Sequence, residues 1–277
     1  QELVVGRIVE GVERAVAALR PAEAGFGTAE APDHVFNRRW FMKPGTMPPN
    51  PFGGIDLVKM NPPAGSPDLL EPAGPTNPTV SFLSVREPGG RPLAVFASYG
   101  LHYVGGVGDG DVSADYFAMF AAELTRLLEP AGTGPALVAM MANGASGDIN
   151  NIDFVNPRPR REPYEQMRSV AHDVARRVAA AVAGVTHARA IDLDARFREV
   201  RVARRHTSPE DVAWAKKVLE GPEPPPGKAD LSRIYAGRTL KLAADPETVS
   251  LPLQTLRIGP GVIATMPCEV FCEIGQE

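Results

Sequence analysis

The fold class is indicated most clearly by residues 93–128, LAVFASYGLHYVGGVGDGDVSADYFAMFAAELTRLL. Its first part, 93–98, is a β-rich run, and its last part, 113–128, is a predicted helix with Ser113 as the N-cap. A short, wholly apolar run follows at 136–141 and is typical of a strand that is covered on both faces. A strand, a helix and a buried strand in this order predict a layered α/β domain.

Elements on either side of this stretch extend the same architecture. Residues 79–85 form a predicted hairpin with 93–98 through a turn at 87–90. Apolar residues line one side of 163–182, the clearest helix in the chain. Further predicted elements are strands at 191–202, 251–258 and 262–267 and helices that start at Ser208 and cover 229–244. The pattern predicts the α/β class, as a layered domain with mixed β-sheets flanked by helices.

Two segments in the first third of the chain are unusual. Residues 3–19 carry one apolar stripe at helical spacing, so we predict a helix there, ended by Pro21. This helix has no cap signal before it, so we expect 1–277 to be part of a single, larger domain. Residues 43–78 contain ten prolines and are predicted to form a long ordered loop, or flap, within that domain.

Composition narrows the class of protein. The chain has 277 residues, of which 44% are hydrophobic and 22% charged, and this balance suits a globular domain with a buried core. A formal net charge of -4 argues against a nucleic-acid partner, because such proteins usually carry a basic stripe. No apolar run approaches the roughly 20 residues that span a bilayer, so we expect no transmembrane segment. Oligomeric state and compartment stay open.

The first candidate for chemistry is His102, which lies where the 93–98 strand ends. Imidazole is a common zinc ligand in proteins. The glycine-rich loop that follows, 105–111, fits neither G-x-G-x-x-G nor the P-loop pattern, so nucleotide binding is rejected. A hydrogen-bonded structural histidine is the alternative interpretation.

Two further candidates also follow predicted strands. The turn NGASGDINN, residues 143–151, gathers small and polar residues where backbone N–H groups could meet a substrate. It nearly matches the nucleophile elbow G-x-S-x-G but fails at the last glycine, and no helix follows directly. Glu269 follows the 262–267 strand, and its carboxylate could bind a metal or act as a base. A plain surface role for Glu269 is the alternative.

Taken in order, these motifs resemble the N-terminal catalytic domain of the neutral/alkaline non-lysosomal ceramidases. The motifs are a strand ending in His102, a Ser-Ala-Asp-Tyr helix start at 113–116, the Asn-Gly-x-x-Gly-Asp-Ile-Asn turn at 143–150, Pro-x-Glu-x-Phe at 267–271, and Asn-Arg-Arg at 37–39. The resemblance covers nearly the whole chain, and the order and spacing of the motifs carry it.

The resemblance implies a zinc amidase that cleaves the N-acyl bond of ceramide, a lipid-like substrate. In that family, two histidines, a glutamate and a tyrosine hold the zinc. By resemblance, His102 is the second zinc histidine and Glu269 the zinc glutamate, with Cys268 in place of a glycine. The family's first histidine belongs upstream and its tyrosine downstream, so we expect half of the ligand set here. A secreted or periplasmic location is also implied.

The remaining site residues are assigned by the same resemblance. Ceramidases carry Gly-Asp/Asn-x-Ser-Pro-Asn at the third motif, which puts Asn150 at the place of the functional serine, with Ser146 offset from it. An amide cannot take over the proton chemistry of a hydroxyl, but it can orient water or donate to an oxyanion. The candidate catalytic residues are therefore Asp148, Asn150, Ser146 and Arg38. The turn would position substrate, and Arg38 would steady an oxyanion.

Two other functions stay open at this stage. A non-catalytic descendant would bind a lipid or glycan without turnover, as the missing serine and the half set of ligands suggest. A different hydrolase would hold Mg or Mn with Asp109, Asp111, Asp115 and His102, because oxygen-rich ligation suits these ions. In the ceramidase-like hydrolase, Phe52, Met42 and Met47 of the flap could form an apolar wall for an acyl chain, with core packing or a solvent-facing loop as the alternative.

Overall fold

The computed structural model describes residues 2–129, 137–225, 227–228 and 230–276. The helices in this part of the chain are α1 (Glu2–Ala17), α2 (Asp115–Leu128), α3 (Glu165–Val182), α4 (Pro209–Glu220), α5 (Leu231–Ala244) and α6 (Cys272–Gln276). The strands are β1 (Glu23–Glu30), β2 (Phe36–Asn37), β3 (Arg39–Met42), β4 (Val58–Met60), β5 (Leu69–Pro72), β6 (Thr79–Arg86), β7 (Pro92–Tyr99), β8 (Val138–Asn143), β9 (Ile149–Asn150), β10 (Leu193–Ala203), β11 (Thr248–Ile258) and β12 (Gly261–Thr265).

A four-stranded mixed sheet carries the main core. Its strand order is β1-β6-β7-β8. The first three strands pair antiparallel, whereas β7 and β8 run parallel and are joined through α2. Helices α2 and α3 pack on each other and against this sheet. The predicted layered α/β architecture with a mixed sheet is thus confirmed.

The helix pair buries one apolar face against the sheet. Tyr116, Phe120 and Leu124 recur every fourth residue on α2 and are fully buried. Valines of α3 meet them and the inward side chains of β6 and β7 in one cluster. Burial of each large apolar side chain stabilises the fold by about 1.5–3 kcal/mol, so this cluster fixes the position of the strand ends.

A second sheet is antiparallel, in the order β10-β11-β12. β10 and β11 pair along eleven residues, from Leu193↔Ile258 to Ala203↔Thr248, but no residue of these three strands is buried. Between β10 and β11 the chain forms the α4–α5 helical hairpin. Ser208 caps α4 through a capping box with Asp211, in agreement with the predicted helix start.

Two small sheets lie beside the main one. β2 pairs with β9, and β3 is flanked by β4 and β5. The interpretation of residues 43–78 as one loop was therefore incomplete, because β4 and β5 return from the flap to pair with β3. These strands are three and four residues long in a proline-rich sequence, and so short a run gives little periodic signal.

Helix predictions agree with the structure apart from details at the ends. α1 forms as expected, but it has no buried residue. Ser113 is not the N-cap of α2: the cap is Ala114, and the Ser113 hydroxyl accepts a hydrogen bond from the Asp115 N–H at 3.0 Å. Residue 136, where the apolar strand was predicted to begin, lies outside the described residues. Among the described residues, no helix has the length and apolar character needed to cross a membrane.

Candidate functional site

His102 and Glu269 lie side by side. His102 Nε2 is 3.7 Å from Glu269 Oε2, and the two side chains are 11% and 78% exposed. His102 follows the end of β7, and Glu269 follows β12. The fold therefore brings together the imidazole and the carboxylate on which the predicted metal site depends. Their role as zinc ligands stays a prediction.

The loop around His102 is fixed by buried hydrogen bonds. The Tyr116 hydroxyl of α2 donates to the Leu101 carbonyl at 3.1 Å. The Tyr103 N–H donates to His102 Nδ1 at 3.0 Å. With Nδ1 as an acceptor, the neutral ring carries its proton on Nε2, which faces Glu269. Metal binding through Nε2 would therefore require the other tautomer, with the proton on Nδ1.

The turn that starts at Gly144 packs against the backbone next to Glu269. The Gly147 N–H donates to the Val270 carbonyl at 2.8 Å. A Cβ at position 147 would lie 2.4 Å from the Glu269 carbonyl oxygen, which is closer than any side chain can approach. Glycine is therefore required at 147, and this contact sets the position of Glu269 relative to the main sheet.

Asp148 is a buried hub of hydrogen bonds. Its side chain is fully buried. One carboxylate oxygen accepts from the Cys272 N–H at 2.8 Å, and the other accepts from Asn37 Nδ2 at 3.0 Å. Arg39 Nη1 lies 3.6 Å from the second oxygen. This carboxylate therefore joins the Asn-Arg-Arg segment, the turn and the start of α6 from inside the protein, and its catalytic role stays a prediction.

Asn150 and Ser146, the other candidates in this turn, are also buried. The Asn150 side-chain oxygen accepts from the Ile152 N–H at 2.8 Å, and its Nδ2 donates to Asn61 Oδ1 at 3.2 Å. The amide expected to orient water or an oxyanion thus has protein partners at both ends. A catalytic role for either residue stays a prediction.

Arg38 also contacts the turn. Its Nε and Nη2 donate to the Gly147 carbonyl at 3.2 and 2.7 Å. Two of the donors expected to steady an oxyanion therefore hold the protein backbone. Arg39 was not predicted as a site residue, but it pairs with Asp148 and lies 4.4 Å from the centre of the Phe271 ring. Its position in the Asn-Arg-Arg segment is the sequence feature that could have indicated this role.

Two of the three aspartates proposed to hold Mg or Mn bind other groups of the protein. The Asp115 carboxylate accepts from the N–H groups of Val104, Gly105 and Tyr116 at 2.7–2.9 Å. Asp111 accepts a short hydrogen bond from the Tyr164 hydroxyl, whose pKa this contact raises. Across the described ranges, no three His, Cys, Asp or Glu side chains form a group that could hold a metal. The Mg or Mn alternative stays a prediction.

The main sheet borders an apolar cleft of about 750 Å³. It lies between the strands of the main sheet and β12, and its walls include Phe26, Phe96 and Ile263. Ser98 and Met266 also line it, and from these two residues the chain continues to His102 and Glu269. Phe52 of the flap, expected to form part of an acyl wall, does not line this cleft.

This arrangement defines a layered α/β protein with motifs gathered at one end of a mixed sheet, and solved structures share it. Neutral ceramidase from Pseudomonas aeruginosa matches with a TM-score of 0.57 and 18% identity, over 99% of this chain and 44% of that chain. A ceramidase complexed with C2 matches with a TM-score of 0.61 and 17% identity, over 100% of this chain and 47% of that chain.

The chain therefore has a ceramidase-like fold along its whole length. It spans less than half the length of the ceramidase chains that it matches. No family model and no curated protein matches the sequence.

Proposed function

We propose that this chain forms part of a zinc-dependent hydrolase of ceramidase type that cleaves an amide bond in a lipid-like substrate. The observation that carries the proposal is the meeting of His102 and Glu269 at 3.7 Å. An imidazole and a carboxylate are two of the donor types that zinc prefers. The ceramidase-like fold supports the reaction class, since it extends over the whole chain.

In this proposal His102 and Glu269 would hold the metal together with groups that the described residues do not supply. Bound zinc would lower the pKa of a coordinated water and polarise a carbonyl. Arg38 and Asp148 keep the turn in place, and the Gly147 contact keeps Glu269 beside His102.

A lipid-like substrate would enter the apolar cleft between the main sheet and β12. A cleft of about 750 Å³ is large enough for a drug-sized or acyl-chain group. Its apolar walls would bind the chain, and the polar ends of β7 and β8 would receive the amide. The flap, residues 43–78, would not contact this acyl chain, because it does not line the cleft.

Substitution of the pair tests the proposal. His102→Ala should lower bound zinc per chain and reduce kcat/KM for a fluorogenic N-acyl amide by about 100-fold or more, because a ligand is lost. Glu269→Gln should act in the same direction. His206→Ala, which removes an exposed imidazole elsewhere, is the control. Unchanged metal content and activity in His102→Ala would remove His102 from the site.

A non-catalytic lipid-binding descendant is the second candidate. It is favoured by Asn150, whose amide is engaged by Asn61 and Ile152 where the family has a functional serine. A metal-free protein that keeps its fold and binds a fluorescent fatty-acyl probe without cleaving it would support this function. Zinc-dependent turnover of the amide would exclude it.

A further inference from the structure

A tight loop at residues 50–56, the Asn50 loop, is organised around one side chain. Asn50 Oδ1 accepts from the N–H groups of Phe52 and Gly54, each at 3.0 Å. Asn50 Nδ2 donates to Asp56 Oδ1 at 2.8 Å. These bonds preform the loop, which carries the Phe52 ring as a fixed unit.

Phe52 contacts the α4–α5 hairpin through a ring cluster of Phe52, Trp214 and Tyr235. The ring centroids of Phe52 and Trp214 are 4.5 Å apart, and those of Phe52 and Tyr235 are 6.0 Å apart at 75°. Phe52 keeps 42% of its surface exposed, and Leu57, just beyond the loop, keeps 84%. The cluster is thus a half-exposed contact near the surface of the protein.

The segment that carries this loop is anchored at the candidate site. It leaves through β3, next to Arg38, and returns through β4 to Asn61. Asn61 donates its N–H to the Arg38 carbonyl at 2.7 Å, and its side chain accepts from Asn150 at 3.2 Å. Arg38 in turn binds the Gly147 carbonyl. The base of the segment is therefore held by the same turn that packs against Glu269.

We propose that residues 43–57 form a lid with a fixed base at the candidate site and a releasable tip. The ring cluster holds the lid on the α4–α5 hairpin, and its release lets the lid move about its base. Lids of this kind control access to a site and the release of product. The inference rests on these contacts alone and does not depend on zinc or on amide cleavage.

Tryptophan fluorescence tests the tip contact directly. The chain contains two tryptophans, Trp40 and Trp214, so Trp40→Phe leaves Trp214 as the single emitter. In this background, Phe52→Ala should raise the acrylamide quenching constant of Trp214 roughly twofold, because the ring that covers it is removed. Phe52→Leu should fall between the two, and Ile55→Ala in the same loop is the control that should leave quenching unchanged.

Proteolysis tests the lid in the otherwise natural chain. Trp214→Ala should speed chymotrypsin cleavage after Leu57 by about fivefold or more, because local opening exposes the backbone. Ile55→Ala should leave this rate unchanged. Circular dichroism and thermal unfolding would verify that each variant is folded. A folded Trp214→Ala protein that is cleaved after Leu57 at the natural rate overturns the proposal, as does unchanged quenching in folded Phe52→Ala.

Discussion

The main sheet with α2 and α3 differs sharply in burial from the second sheet with α4 and α5. On β7, Val95, Ala97 and Tyr99 are fully buried, whereas Phe197 of β10 is 64% exposed and β10 has no buried residue. His102 extends from the first region, and Glu269 follows a strand of the second. The candidate site therefore lies where the well-packed main sheet meets the loosely packed second sheet.

Truncation of a core ring should give the largest effect. Phe120→Ala removes a fully buried ring between α2 and the sheet and should lower the free energy of unfolding by about 3–5 kcal/mol. Phe197→Ala, the matched change in β10, should cost less than about 0.5 kcal/mol. Urea unfolding would measure both. Equal losses would mean that the two regions are packed alike.

Removal of the buried carboxylate should give the next effect. Asp148→Ala leaves the Cys272 N–H and the Asn37 amide without their acceptor and should lower the free energy of unfolding by about 2–3 kcal/mol. Asp194→Ala on exposed β10, where Asp194 pairs with Arg196, is the control and should leave stability essentially unchanged. Similar losses in the two variants would contradict the role of Asp148 as a hub.

A smaller effect on the free energy of unfolding should come from the protonation of His34 as the pH falls. His34 is buried, and this burial lowers its pKa below the usual 6.5, even though Asp173 accepts from Nε2 at 2.9 Å. Nδ1 is buried without a partner, so a protonated ring would bury an unpaired N–H. The neutral ring therefore stabilises the fold fully above pH 6.5, and this contribution is lost as pH falls through 6.5 toward the lowered pKa.

His34→Gln keeps a donor for Asp173 but does not titrate in this range. It should flatten the decrease of the free energy of unfolding between pH 7 and pH 5, as measured by urea unfolding at each pH. A variant with the same pH slope as the natural protein would show that another group causes the slope.

Much of the first region could be predicted from the sequence, because its helices have clear apolar stripes and its hairpin has a clear turn. β1 was missed, since Gly25 and Gly27 weaken the strand signal. The structure explains these glycines: a Cβ at Gly27 would lie 2.5 Å from the Phe82 ring, and one at Gly25 would lie 2.3 Å from the Thr186 carbonyl oxygen. Such close approaches depend on tertiary packing that a local pattern does not encode.

The residues of the candidate site were also identified from the sequence, but their contacts were not. Asp148 was assigned to catalysis by the family resemblance, and its burial became visible only in the fold. The pairing of Arg38 with the Gly147 carbonyl likewise depends on how β2 meets β9. Short polar motifs therefore predicted which segments carry the candidate residues. The hydrogen bonds that each residue makes depend on long-range packing.

The Asp148 hub also constrains the order of folding. Its partners Asn37 and Cys272 lie 111 and 124 residues away along the chain. Closing such long loops costs chain entropy before the bonds form, and contacts of this range slow folding. During synthesis Asp148 emerges long before Cys272. The hub is therefore completed only once the start of α6 has been made.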